Sequence, residues 1–293
     1  MKKYVITGSI GHISKPVIVN LIKAGKEVKV ITSSADKVKD IESLGAKALV
    51  GSVFDAAFVK DAFKGAEVVY TMVPPIWQTN DWRASQDQVA ANYTEGIRGN
   101  GIRYVVNLSS IGAHLSEGCG PVSALHHFEQ LLNNITGLNV KHLRPAFFYY
   151  NFLSQIPLVK QAGIFGANYG EGKVPLVHPR DIAAAATEEL LTLDFKGNSV
   201  RYIISDERKG SEIASVLGKA IGRDVPWVDF SDEDQKNGML QAGLSETHTK
   251  GYVEMGNALR SGKMREDMAK VKPAFAPTKL EDFATEFSAA YSA

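Results

Sequence analysis

Two glycines, Gly8 and Gly11, follow the short run Tyr4-Val5-Ile6 and precede apolar residues at helical spacing, Ile13, Val17, Ile18, Leu21 and Ile22. A buried strand that turns on glycine into a helix is suited to holding phosphate. Gly8 permits the tight turn, Gly11 lets the backbone come close to a pyrophosphate, and the free N–H groups and dipole of the helix start hold its charge. The chemistry implied is dinucleotide binding by Gly8, Ser9, Ile10, Gly11, His12 and Ile13. Ser14 stands where the usual third glycine would be, adding a small side chain at the helix-sheet contact. Pro16 suits the first helical turn, where its missing N–H costs little.

The elements that must carry this turn alternate along the first half of the chain. Strands are predicted at Tyr4–Ile6, Glu27–Ile31, Ala46–Val50, Glu67–Val73, Arg103–Leu108 and Leu138–Leu143, with helices between them. Runs of right-handed crossovers bury such a sheet between two helical layers, which predicts an α/β fold with a doubly wound parallel sheet. Ligands of such a sheet bind beyond the carboxyl ends of the strands, so the residues there become candidates. After strand two come Ser33, Ser34 and Lys37, with no Asp or Glu at the tip for ribose hydroxyls. The hydroxyls and the lysine suit a 2′-phosphate, so NADP is expected in preference to NAD. Ser52 and Val53 follow strand three, and Val73, Pro74 and Pro75 form a stiff loop after strand four, near the cofactor's ribose and nicotinamide. Trp77 continues that loop as a substrate-side residue, and Ser110, after strand five, is placed to meet a substrate oxygen.

Composition limits what else the chain can do. Lys and Arg number 33 against 32 Asp and Glu in 293 residues, a net charge of +1, so no overall field favours nucleic acid or an anionic membrane. No apolar run approaches a membrane span. The one cysteine, Cys119, excludes an intrachain disulfide and a Cys-based zinc site, and no metal is expected. Met1 runs almost directly into the first strand without a signal peptide, so a cytoplasmic protein is expected.

Taken in order, Thr7-Gly8-x-x-Gly11, Thr71-Met72-Val73-Pro74-Pro75, Leu108-Ser109-Ser110, Leu143-Arg144-Pro145 and Val177-His178-Pro179-Arg180-Asp181-Ile182-Ala183 resemble the NmrA-like family of atypical short-chain dehydrogenases/reductases. The resemblance implies an NAD(P)-binding Rossmann domain with a small substrate-side region, and a family that holds quinone reductases, ether reductases and non-catalytic redox sensors. The Tyr-x-x-x-Lys pair of ordinary short-chain dehydrogenases is missing, since neither Tyr nor Lys occurs between Ile111 and Leu132. Ser33 stands where relatives often carry arginine, and Lys37 matches a basic position of the family. Where relatives have Lys or His on the helix before Leu-Arg-Pro, this chain offers His126 or His127 as a general acid.

Residues 1–150 are expected to form the NAD(P)-binding domain and 151–293 a smaller, mostly helical region, with 181–205 returning to the Rossmann core. Phe147, Tyr149, Asn151 and Phe165 are candidates for the walls of a pocket for a flat substrate, while His178, Arg180 and Asp181 read as helix-start electrostatics. The segment Arg260 to Pro277 has no clear period and is expected to be a mobile or irregular loop. The expected activity is hydride transfer from NAD(P)H to a small quinone-like or carbonyl acceptor. The alternative is a non-catalytic NAD(P)H sensor that binds a partner protein, and sugar-nucleotide epimerisation, which needs a real base, ranks last.

Overall fold

The computed structural model describes residues 2–76, 79 and 81–293, which divide into two compact units. The first comprises Met1–Ser110, Ala124–Arg144 and Ile182–Arg201. Its strands and helices alternate as β1 (Lys3–Ile6), α1 (Ser14–Lys23), β2 (Glu27–Thr32), α2 (Val38–Ser43), β3 (Lys47–Val50), α3 (Ala56–Ala62), β4 (Val68–Met72), α4 (Trp82–Gly99), β5 (Tyr104–Leu108), α5 (Val122–Asn133) and β6 (Asn139–Pro145). The sheet runs in the order strand Asn198–Ile203, β6, β5, β4, β1, β2, β3, and the pairings from β6 to β3 are all parallel. From β1 the chain winds first toward β3 and then, starting at β4, the other way. This is the doubly wound plan, and its switch point lies between β1 and β4, where a ligand-binding crevice belongs.

Alternation along each strand sends apolar side chains to both faces. Val5, Val69, Val105 and Val140 pack on one face against Val59 of α3 and Phe63 just after it, Val89, Tyr93 and Ile97 of α4, and Phe128 and Leu132 of α5. Burial on both faces explains why these strands read as almost unbroken apolar runs.

The second unit comprises Ile111–Ser123, Pro145–Asp181 and Tyr202–Ala293. Besides its helices it contains a three-stranded sheet of Asp206–Arg208, Val174–Val177 and Phe147–Phe148, and a parallel pair of Phe165–Ala167 with Trp227–Asp229. These strands are two to four residues long, too short to show an alternating pattern. The core joins Tyr149, Phe152 and Phe165 to Ile213 and Leu217 of helix Gly210–Ala220 and to Phe283 and Phe287 of helix Leu280–Ser292.

One expectation fails here. The stretch from Arg260 to Pro277 is ordered, with a 3₁₀ turn at Lys263–Arg265, a helix at Glu266–Val271 and a bridge from Phe275 to Ile204. Met264 and Met268 are buried and anchor it, Met264 against Gly112, but a single turn and a six-residue helix give no readable period. Asp181 also does more than start a helix. It is buried and accepts hydrogen bonds from Ser205 Oγ at 2.6 Å, Thr278 Oγ1 at 2.8 Å and Thr278 N at 3.2 Å, tying down the chain before the last helix. His178 is buried beside it. Its Nδ1 accepts from Arg180 N at 3.0 Å, which leaves Nε2 to donate to Glu286 Oε1 at 3.1 Å.

Candidate NAD(P)-binding site

The turn after β1 is built from the strand outward. Thr7 N donates to Tyr70 O at 3.1 Å and Met72 N to Thr7 Oγ1 at 2.8 Å, which carries the β1–β4 contact one step past the strand end. Gly8 has φ +83°, and a Cβ there would lie 2.7 Å from Met72 Cε and 2.9 Å from Ser14 Oγ, so both conformation and space demand glycine. Ser9 is also left-handed, at φ 55°. Two bonds to the end of β2 hold it, Ser9 N to Ile31 O at 3.1 Å and Ser9 Oγ to Thr32 Oγ1 at 3.1 Å. Ser14, in place of the third glycine, is accommodated because its Oγ donates to Thr7 O at 3.1 Å, bonding helix to strand.

Gly11 is different. Its φ is not left-handed, and a Cβ would meet only Gly8 O at 3.4 Å, so the fold leaves open space at this position. Gly11 and His12 are exposed, with Ser9, Ile10 and Ile13 half-buried. The residue before α1, Ile13, offers no side-chain cap, and the first turn holds no acidic residue. Ser9 N is taken by Ile31 O and Gly11 N makes only a long 3.4 Å bond to Gly8 O, while the dipole of α1 favours an anion at its start. A pyrophosphate fits the space and the charge.

Around this turn the other candidates take distinct places. Ser33 and Lys37 are exposed, Lys37 at the end of the 3₁₀ turn Ala35–Lys37, while Ser34 Oγ makes a long 3.5 Å bond to Asp36 Oδ2 that it can exchange for a phosphate oxygen. Ser52 Oγ accepts from Phe54 N at 3.2 Å, and Val53 packs on the core with its carbonyl held by Asn92 Nδ2 at 3.0 Å. Val73 is buried, Pro74 half-buried and Pro75 exposed, and the Tyr93 hydroxyl fixes the start of their loop by donating to Met72 O at 3.2 Å. Trp77 lies outside the described residues.

At the end of β5 the engaged residue is Ser109, not its neighbour Ser110. Ser109 Oγ donates to Glu129 Oε1 at 2.5 Å, and the carboxylate of Glu129 is in turn gripped by Arg144, all three side chains buried. Ser110 is half-buried, as are His126 and His127. His127 Nδ1 lies 2.8 Å from Asp87 Oδ1 of α4, and Arg83 Nε donates to Asp87 Oδ2 at 3.0 Å. Beside them, Thr71, Asn107 and His142 align across β4, β5 and β6. Thr71 Oγ1 donates to Asn107 Oδ1 at 2.9 Å, Asn107 Nδ2 bonds His142 Nδ1 at 3.1 Å, and His142 Nε2 bonds Asn133 Oδ1 at 2.9 Å. The order of donors makes His142 a neutral imidazole with its proton on Nε2, and burial pushes its pKa down to about 4. Both networks, Ser109–Glu129–Arg144 and Thr71–Asn107–His142–Asn133, escape the sequence reading. The available signal was polar residues inside otherwise apolar elements.

In the second unit, the four pocket candidates separate by burial. Tyr149 and Phe165 are enclosed in the core, Tyr149 stacked on Phe283 with centroids 5.5 Å apart and Phe165 5.7 Å from Phe287, so neither forms a pocket wall. Asn151 is exposed, and Phe147 is half-buried, 5.4 Å from Tyr169.

Residues 8–169 match the model of a family described as NAD(P)H-binding. The chain belongs to that family. The expectation of an NAD(P)-binding chain that resembles the NmrA-like atypical short-chain dehydrogenases/reductases is borne out. Among curated proteins the chain is similar to the NAD(P)H azoreductase of Xenophilus azovorans, 24% identical over 242 residues, which span 83% of this chain and 82% of that protein. Solved structures share the fold of this NAD(P)H-binding protein. The NADPH-dependent quinone oxidoreductase of Escherichia coli, complexed with NADPH, superposes with a TM-score of 0.79 at 19% identity over 97% of this chain and 99% of its own. The Citrobacter sp. triphenylmethane reductase, complexed with NADP(H), gives 0.77 at 20% identity over the same shares, 97% and 99%.

Proposed function

We propose that the protein is an NAD(P)H-dependent reductase that passes hydride to a small, flat, conjugated acceptor of the quinone type, using NADPH at least as well as NADH. The observation that carries this reading is the chemistry of α5 and the loop before it. From Ile111 to Leu132 the chain has neither the tyrosine nor the lysine that would protonate an alkoxide. A ketone or aldehyde needs such an acid. A quinone does not, because the charge that hydride leaves is spread over a ring. The names of the relatives support the same class, since azo and quinone compounds are conjugated acceptors.

In this reading the cofactor supplies the hydride, and the protein binds and orients it. Gly8 to Ile13 hold the pyrophosphate, Ser33, Ser34 and Lys37 face the adenosine ribose or its 2′-phosphate, Ser52 and Val53 the adenine side, and Val73 to Pro75 the nicotinamide side. Ser110 and one of His126 or His127 donate hydrogen bonds to the acceptor oxygen. Titration with NADPH and NADH, followed by oxidation assays over quinones, azo compounds and aldehydes, tests the proposal. Oxidation of NADPH by quinones well above aldehydes supports it. Tight cofactor binding with no turnover of any acceptor would replace it with the sensor role, and a clear preference for NADH would refute the role given to Lys37.

A further inference from the structure

Within the second unit, against the stretch from Arg260 to Pro277, lies a cavity of about 360 Å³. That volume is within the range of about 300–1,000 Å³ common to small-molecule sites. Its apolar wall is made by Ile204, Met268, Ala269, Pro273 and Phe275, and its charged groups are Glu207, Arg265 and Lys272. Ile204 and Met268 are buried core residues, but Phe275 is 56% exposed and Val271 62%. These two are the most exposed large apolar side chains among the described residues, and both flank the bend at Lys272. Apolar surface gathered beside a cavity, unlike single residues scattered over a surface, marks a place for contact.

The exposed ring is held in position. Phe275 bridges to Ile204, Ala276 N donates to Ile204 O at 2.7 Å, and Lys279 Nζ stands 5.3 Å from the ring centroid while donating to Ser205 O at 2.6 Å and Ala276 O at 3.1 Å. Lys272 is fixed at its backbone, since it ends the helix Glu266–Val271 in a left-handed conformation, φ 49°, with its N–H bonded to Met268 O at 3.0 Å. The wall is thus ordered before any ligand arrives.

Charge selects the ligand. Arg265 donates from Nη1 to Lys173 O at 3.0 Å but meets no carboxylate among the described residues, and its other N–H groups keep the fork that suits one. Lys272 and Glu207 have no ion pair there either. Two cations against one carboxylate leave the cavity positive, which favours an anion. We propose that this cavity binds an amphipathic carboxylate, its apolar body on Phe275 and Met268 and its charge at Lys272 and Arg265. Glu207 opposes the same charge and weakens the grip. The site lies wholly in the second unit and does not depend on the reductase reading.

Octanoate is the probe, and octan-1-ol, the same chain without the charge, is its control. Both are titrated calorimetrically at neutral pH into the full chain and into Lys272→Gln, Glu207→Gln and Phe275→Ala, none of which replaces a buried side chain. Octanoate is expected to bind more tightly than octan-1-ol. Lys272→Gln should weaken octanoate roughly two- to fivefold, the effect of one exposed ion pair, and Glu207→Gln should tighten it by a similar factor, with octan-1-ol unchanged in both. Phe275→Ala should weaken both ligands about fourfold or more, the effect of one methylene returned to water. A wild type that does not bind octanoate, octan-1-ol bound as tightly as octanoate, or octanoate affinity unaltered in both Lys272→Gln and Phe275→Ala would overturn the proposal. Equal losses of octanoate and octan-1-ol in Lys272→Gln would do the same.

Discussion

Arg144 and Glu129 are joined by a two-pronged ion pair inside the first unit, Nε to Oε1 at 3.0 Å and Nη2 to Oε2 at 2.5 Å, with both side chains shielded from water. Ser109 Oγ adds a third bond to the same carboxylate, so β5, α5 and β6 meet at one charge-neutral point. Removing one partner leaves the other charged and dry. Glu129→Gln or Arg144→Met is expected to cost about 3–5 kcal/mol in urea unfolding. The double change Glu129→Met with Arg144→Met should recover most of it, and additive losses would show that the pair does not act as a unit.

His142 makes stability depend on acid. Its pKa lies near 4 in the fold and near 6.5 in the unfolded chain, so between these values the unfolded state binds more protons. Its contribution is complete above pH 6.5 and is lost as pH falls toward 4, a total of up to about 3 kcal/mol. The charged ring would also turn an N–H toward the Asn107 amide that now donates to it. Urea melts from pH 7 to 4 should therefore fall less steeply for His142→Gln than for the wild type. Parallel slopes would be the contrary result.

The two glycines of the turn should respond differently. Gly11→Val is expected to fold, since its Cβ meets only Gly8 O at 3.4 Å, but to lose dinucleotide binding as the branched side chain fills the phosphate space. Gly8→Ala, at φ +83° and with its Cβ 2.7 Å from Met72 Cε, should lose about 1–3 kcal/mol of stability. Fluorescence titration with NADPH alongside thermal melts separates the two effects. Unchanged cofactor affinity in folded Gly11→Val would disprove the site.

Replacing both His126 and His127 by Ala is expected to lower any aldehyde reduction by roughly 10²- to 10⁴-fold, the contribution of a placed acid. Quinone reduction should fall far less. Steady-state rates on both substrate types decide it, and equal losses would refute the distinction between delocalised and localised charge.

The local part of this protein was legible in its residues. The strand-glycine-helix turn, the alternation of β and α, and the lean toward a phosphate-bearing cofactor all depend on neighbours within a few positions, where backbone conformation and periodicity act directly. Short elements were the first to escape. The helix Glu266–Val271 has six residues, too few for a period, and it holds its place through the buried Met268. Long-range pairing escaped altogether. Glu129 and Arg144 are 15 positions apart and Asn107 and His142 are 35, so only the register of β5 and β6 and the packing of α5 bring them together. The roles of the aromatic residues were decided the same way. Tyr149 and Tyr169 are chemically identical, and it is the packing of the first on Phe283 that encloses it in the core, while the second stays half-buried beside Phe147.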